Sequence, residues 1–229
     1  MKINYLSLII LTGFIAACGD TSAPEGEALS LDTEIDKVSY SFGVSIAKNL
    51  KAQKFDTINV LALTQAIEDS YGDNALLIDE TAANEILNTY MQSKKQKAQQ
   101  GELEKGRAFL EQNKTKEGVV TLASGLQYKI LVEGNGPKPA ATSNVSTHYH
   151  GTLIDGTVFD SSVDRGQPSS FGVNQVIAGW TEALQLMNVG SKWELYIPSE
   201  LAYGANPRPG GAIKPNMALI FQVELLAIN

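Results

Sequence analysis

The chain has 229 residues, a formal charge of −7 at pH 7 and a single cysteine. That length allows one or two domains with a real core. The acidic balance excludes nucleic acid or an anionic membrane face as a partner held by bulk charge, and one cysteine excludes any intrachain disulfide.

The first element is a targeting segment. In "MKINYLSLIILTGFIAAC" Lys2 is the only charge, so without this segment 17 basic and 25 acidic residues leave −8. The apolar run from Tyr5 to Ala17 is shorter than the ~20 residues of a membrane-spanning helix and has the length of a signal-peptide core. It ends in Ile15-Ala16-Ala17-Cys18, which resembles the lipobox of bacterial lipoproteins and makes Cys18 the expected lipid acceptor. An ordinary signal peptide with a chance cysteine is the alternative. Residues 1–17 are therefore expected to be a signal peptide. Residues 18–30, small, polar and acidic, are expected to be a tether with a reach of roughly 20 Å.

From Leu31 the period is helical. Ile35, Val38, Phe42, Ile46 and Leu50 recur after a Thr33–Asp36 capping pair. A second helix is predicted from Asn59, with Val60, Leu63, Ile67 and Tyr71 on one side and Gly72 ending it. A third starts near Asp79 with Ile86, Leu87, Tyr90 and Met91, then becomes almost wholly polar through "QSKKQKAQQGELEKGR" before Phe109 and Leu110. Run as one helix over 79–117 it would be about 58 Å long. Such a helix is expected to bridge two bodies through solvent, with Gly101 and Gly106 as bending points; the alternative is a surface helix folded back on its own domain. The short helices of 31–78 and the start of the third cannot enclose much apolar surface alone, so homodimerisation through residues 31–91 is expected.

After Gly118 the period becomes two. Leu126, Tyr128, Ile130 and Val132 form one inward set, Trp193, Leu195 and Ile197 a second, and Met217, Leu219, Phe221, Val223 and Leu225 a third. Ile177, Trp180, Leu184 and Met187 mark one short helix closed by Gly190. Residues 118–229 thus read as an α+β domain, an antiparallel sheet wrapped on one helix.

The stretch "HYHGTLIDGTVFDSSVDRG" holds both histidines. Val145, Thr147 and Tyr149 are expected to face the core, which turns His148 and His150 outward as solvated side chains rather than two of the three or four ligands of a metal site. Asp155 belongs to an Asp-Gly turn rather than a catalytic carboxylate pair, and Asp164 is expected to pair with Arg165. Asp160, beside Phe159 where the pattern leaves the sheet, is either a cap of the "DSS" turn or part of a pocket rim.

The blocks "HYHGTLIDGTVFDSS", "NQVIAGWTEALQLMNVGSKWELYIPSELAYG" and "PNMALIFQVELL" resemble those of FK506-binding-protein (FKBP) type peptidyl-prolyl isomerases over residues 119 to 229. The upstream part, with "DKVSYSFGVSIAKNL" and "FLEQNKTKEGVVTLASGLQYKIL", resembles the macrophage-infectivity-potentiator subgroup. The resemblance implies an intertwined helical dimerisation domain, a connecting helix and isomerase activity on X–Pro bonds without metal or cofactor. It implies a cup of Tyr149, Phe159, Val176, Ile177, Trp180 and Tyr203 with the Trp180 indole as floor, and Phe221 closing a wall. The Ile177 N–H and the Tyr203 hydroxyl would bond substrate carbonyls, Asp160, oriented by Tyr149, would face the amide, and Arg165 would share its rim; Ile213 matches an apolar position of the last loop. Two departures are Ser169 where relatives often carry an aromatic, within a segment from Pro168 to Val176 that looks shortened, and Ala212 in "NPRPGGAIK". The first predicts a more open pocket wall. The expected partners are folding or unfolded proline-containing polypeptides at a bacterial cell envelope, with the membrane reached through the lipid only. A non-catalytic dimeric chaperone or a binding module with a dead pocket are the competing readings.

Overall fold

The computed structural model describes residues 29–229, so the expectations on the targeting segment and Cys18 lie outside the described residues. The described chain divides after Leu77 into two compact units.

The first unit carries α1 (Glu34–Ala52) and α2 (Val60–Tyr71). Thr33 and Asp36 form the reciprocal capping box expected of them, and the Asn59 side chain accepts from the Ala62 N–H. Neither helix encloses a core of its own: α1 has no buried residue, and in α2 only Asp69 is buried. Phe42 is 66% exposed, Leu61 81% and Tyr71 90%.

The second unit opens with α3 (Glu80–Asn113), capped by the Asp79 side chain on the Ala82 N–H. Its 34 residues make about 51 Å of helix, so it ends four residues before the expected Glu117. The expectation of a wholly solvated polar rod is corrected too. Gly106, Leu110 and Asn113 are buried against the sheet. Gly106 is a point of close approach: a Cβ there would lie 3.1 Å from that of Ala218.

Beyond α3 come β1 (Val119–Thr121), β2 (Gln127–Val132), β3 (Asn144–Leu153), β4 (Val158–Ser161), β5 (Ser169–Gly172), α4 (Ala178–Leu186), β6 (Lys192–Ile197) and β7 (Leu219–Ile228). Among the described residues the strands form one antiparallel sheet in the order β1-β2-β6-β7-β3-β4, with β5 also on β3. The inner face buries Leu126, Val145, Leu195, Ile197, Leu219, Val223 and Leu225 against Trp180, Ala183, Leu184 and Met187 of α4 and its C-cap. Burying a side chain of this kind is worth about 1.5–3 kcal/mol. The helix ends at Leu186 with Met187 as its C-cap, three residues before the predicted Gly190.

The outer face carries a second, smaller cluster. Leu110 of α3 packs with Tyr196 and Ala218. Tyr196 and Gln127, which alternate with the core residues, are buried all the same. The Gln127 amide donates to the Leu110 carbonyl at 2.9 Å and accepts from Asn113 at 3.0 Å. Ile130 and Val132, predicted inward, are instead exposed near the end of β2.

Candidate active site

The inner face opens into one cavity of about 420 Å³, lined by Tyr149, Phe159, Asp160, Phe171, Gln175, Val176, Ile177, Trp180, Tyr203, Arg208 and Phe221. Trp180 is only 4% exposed. Three rings hold its indole edge to face: Tyr149 at 5.3 Å, Phe171 at 5.4 Å and Phe221 at 5.2 Å between centroids. This is the favoured geometry for aromatic pairs. Phe159 stands at 84° to Phe221 at 5.3 Å. Gly151 makes room for that wall, because a Cβ on it would come within 2.8 Å of both the Phe159 and the Phe221 ring.

The polar groups gather at one side. The Tyr149 hydroxyl donates to Asp160 Oδ2 at 2.6 Å, and Arg165 donates to Asp160 Oδ1 and, at 2.9 Å, to the Tyr149 hydroxyl oxygen. Arg165 also lies 5.6 Å from the centre of the Tyr149 ring. Partial burial disfavours the Asp160 carboxylate, but the bonds from Tyr149 and Arg165 outweigh it and hold the carboxyl below the usual aspartate range. Burial first, then its bond to Asp160, pushes the Tyr149 phenol above its ordinary value. The site therefore presents an ionised carboxylate beside a protonated phenol.

The cavity brings together eight of the expected pocket residues, with Arg165 attached through Asp160. Ile213 does not line it and packs, half-buried, against the core. The expected Asp164–Arg165 pair is not formed; Arg165 reaches Asp160 instead. Asp155 does cap its own turn, accepting from the Thr157 N–H at 2.9 Å. The two histidines face away from the cavity side of β3 but are half-buried, with Nδ1 of His148 3.1 Å from the Ser162 hydroxyl and that of His150 3.0 Å from Ser161. They are bonded side chains, not free solvated ones.

Phe171, Gln175 and Arg208 were not foreseen as lining residues. Phe171 has a signal: it lies two residues after Ser169 on β5, so it shares that residue's face, and it fills part of the wall that Ser169 leaves open. Ile177 is the N-cap of α4 and its side chain cannot cap. Its own N–H has no partner among the described residues, and the Tyr203 hydroxyl likewise makes no hydrogen bond among them.

Residues 136–226 match the family of FKBP-type peptidyl-prolyl cis-trans isomerases, and residues 35–130 match the domain found amino-terminal to such isomerases. The outer membrane protein MIP of Legionella longbeachae is 42% identical over 96% of this chain and 97% of its own. The chain belongs to the FKBP-type peptidyl-prolyl cis-trans isomerase family. The peptidyl-prolyl isomerase Mip of Coxiella burnetii is 43% identical over 88% of this chain and 90% of its own. The crystal structure of FkpA from Escherichia coli superposes with a TM-score of 0.70 at 33% identity, covering 87% of this chain and 99% of that one. This FKBP is a peptidyl-prolyl cis-trans isomerase acting on proline-containing polypeptides, on a helical amino-terminal region, a long helix and an antiparallel sheet.

Proposed function

We propose that the cavity binds the proline ring of an X–Pro segment over the Trp180 indole and holds the amide in its twisted form. The reaction breaks no covalent bond; its barrier, roughly 18–20 kcal/mol, is the loss of amide resonance on rotation. Water favours the planar, charge-separated amide, so an apolar cup with a few directed donors favours the twisted one. The Ile177 N–H and the Tyr203 hydroxyl serve as those donors to substrate carbonyls. Asp160, fixed by Tyr149 and Arg165, faces the rotating amide, and Phe159, Val176 and Phe221 wall the ring. The observation that carries this reading is a buried indole ringed by three aromatics next to a carboxylate held by two donors. The test is a proline-limited refolding assay with the chain lacking residues 1–18. Wild type should accelerate refolding, while Asp160→Ala and Tyr203→Phe should each lose at least ~5-fold in kcat/KM on short prolyl peptides. Variants indistinguishable from wild type would remove these roles.

The active form is a homodimer joined through residues 31–91. What supports this is that α1 buries nothing and that Ile86, Leu87 and Tyr90 on α3 are each more than half exposed. A monomer would leave all of that apolar surface in water, and a second copy of the same helices covers it. Two tethered pockets also raise the effective concentration of a second proline site on one client, so chaperone action on folding exported proteins accompanies catalysis.

The protein is held at the bacterial cell envelope by acylation of Cys18. No described helix is long and apolar enough to cross a membrane, and one relative bears the name outer membrane protein. Incorporation of labelled palmitate into wild type but not into Cys18→Ser tests the anchor.

A further inference from the structure

The loop between Pro198 and Asn216 carries two cavity-lining side chains, Tyr203 and Arg208. Most of its own hydrogen bonds lie near its roots; farther out, the Asn206 N–H donates to the Tyr203 carbonyl at a long 3.4 Å and the Lys214 ammonium to the Gly211 carbonyl at 2.7 Å. Gly204 N–H donates to the Ser199 carbonyl at 2.9 Å, and Asn216 N–H donates to the Gly204 carbonyl at 2.8 Å, drawing the two roots together just past Tyr203. To make that closure Asn216 takes φ +63°, a left-handed conformation that asparagine tolerates better than most residues.

Both roots then rest on α3. The Asn216 side-chain amide donates to the main-chain carbonyl of Gln99 at 3.3 Å. Arg107 reaches Glu200 at 3.4 Å, a pair whose side chains are both more than half exposed. One residue beyond Asn216, Met217 leads to Ala218, which sits against Gly106 with no room for a Cβ to spare. Gln99, Leu103, Gly106, Leu110 and Asn113 follow each other at steps of four, three, four and three, which places them on one stripe of the helix. A loop bonded mostly near its roots would otherwise sample many conformations, and each would move the Tyr203 hydroxyl.

We propose that this stripe of α3 is a strut that fixes the Tyr203 loop for catalysis, with Gly106 and Asn216 as positioning residues that act through Tyr203. The proposal rests on the reading that the Tyr203 hydroxyl bonds the substrate. It makes the end of the long helix part of the isomerase machinery. Any displacement of α3 on the sheet is then felt in turnover.

The experiment compares the full-length chain with Gly106→Ala, Asn216→Gly, Gly106→Ala/Ala218→Gly, Tyr203→Phe and Gly106→Ala/Tyr203→Phe. It measures kcat and KM on a chromogenic prolyl tetrapeptide, with thermal melting alongside. Asn216→Gly keeps the left-handed backbone and deletes only the contact to Gln99. Gly106→Ala is expected to lower kcat about 3- to 10-fold and Asn216→Gly about 3-fold, with KM changing by less. Removing the Ala218 methyl should restore most of the Gly106→Ala loss, a rescue that general destabilisation would not produce. In the Tyr203→Phe background Gly106→Ala should add no further loss. Wild-type turnover in both single strut variants, no rescue in the double variant, or full additivity with Tyr203→Phe overturns the strut. Wild-type turnover of Tyr203→Phe itself overturns the reading on which the strut rests, and is seen as a separate result.

Discussion

Asp160 is bonded by both Tyr149 and Arg165, and its protonation decides the pH range of the site. Its carboxyl titrates lower in the fold than in the unfolded chain, where an aspartate titrates near ~3.9. The stabilisation from these bonds is thus complete above about pH 5 and disappears as the pH falls through the folded value. Tyr149, raised above its usual range, stays protonated through neutrality and beyond. The kcat/KM profile is therefore expected to be flat from about pH 5 to 9 and to drop on acidification, measured with a peptide that does not itself titrate. Asp160→Asn should abolish that acid limb and lower the plateau. At Trp180, substitution by alanine would cost about 3–5 kcal/mol of stability and confound the result, whereas Trp180→Phe keeps most of the packing. It is expected to lower kcat/KM by about 3- to 10-fold. Because Trp193 lies stacked on Tyr128 at 4.3 Å, among the core residues, Trp180→Phe should also abolish the fluorescence change on binding a prolyl peptide. These two residues were legible in the sequence because long motifs carry them. The partner of Arg165 was not: adjacency in the chain suggested Asp164, while the turn that follows β4 folds the guanidinium back to Asp160, five residues earlier. Arg208 carried no signal beyond its place in a loop rich in glycine and proline.

At the scale of elements, the helix starts were read correctly from single capping side chains, Thr33, Asn59 and Asp79, because each satisfies one of the four unpaired backbone N–H groups of a first turn. The strands were read from alternation, which separates two faces but says nothing about what lies on the polar one. Gln127 and Tyr196 alternate with the inward sets, and α3 covers them. The Tyr196 hydroxyl donates to Glu194, and burial followed by that bond raises the phenol far above its usual range. The Gln127 contacts suggest a direct test. Gln127→Ala takes the acceptor from the buried Asn113 amide and leaves the Leu110 carbonyl with the Lys114 N–H as its donor, which costs about 1–3 kcal/mol. Urea unfolding of the isomerase domain should register that loss with little change in slope. A fragment cut at Gly118 would lose Phe109 and Leu110 and so uncover Tyr196 and Ala218. It is expected to melt at a lower temperature than a fragment beginning at Lys97.

On the scale of the whole molecule, the two units divide the labour differently. The isomerase domain buries a continuous core, while α1 and α2 leave large side chains such as Phe42 and Leu61 in water. Phe42→Asp is expected to convert a dimer into a monomer by light scattering on the chain lacking residues 1–18. Turnover of short peptides should stay within about twofold, because the pocket residues all lie in the second unit. Refolding of a protein client should slow more, since the advantage of two linked pockets is lost. Equal slowing on peptides and proteins would remove the dimer from the account. The shortage of enclosed apolar surface in this unit was legible in the sequence, but not how completely α1 leaves its own residues unburied.

The sheet order has one more consequence. β7, the domain's final strand to leave the ribosome, lies in the middle of the sheet between β6 and β3. Ten residues of Leu219–Ile228 must emerge before β6 and β3 are joined through them, so a nascent chain cannot lock shut early. The two parts of the sheet, β1-β2-β6 and β4-β3-β5, stay unlinked until then.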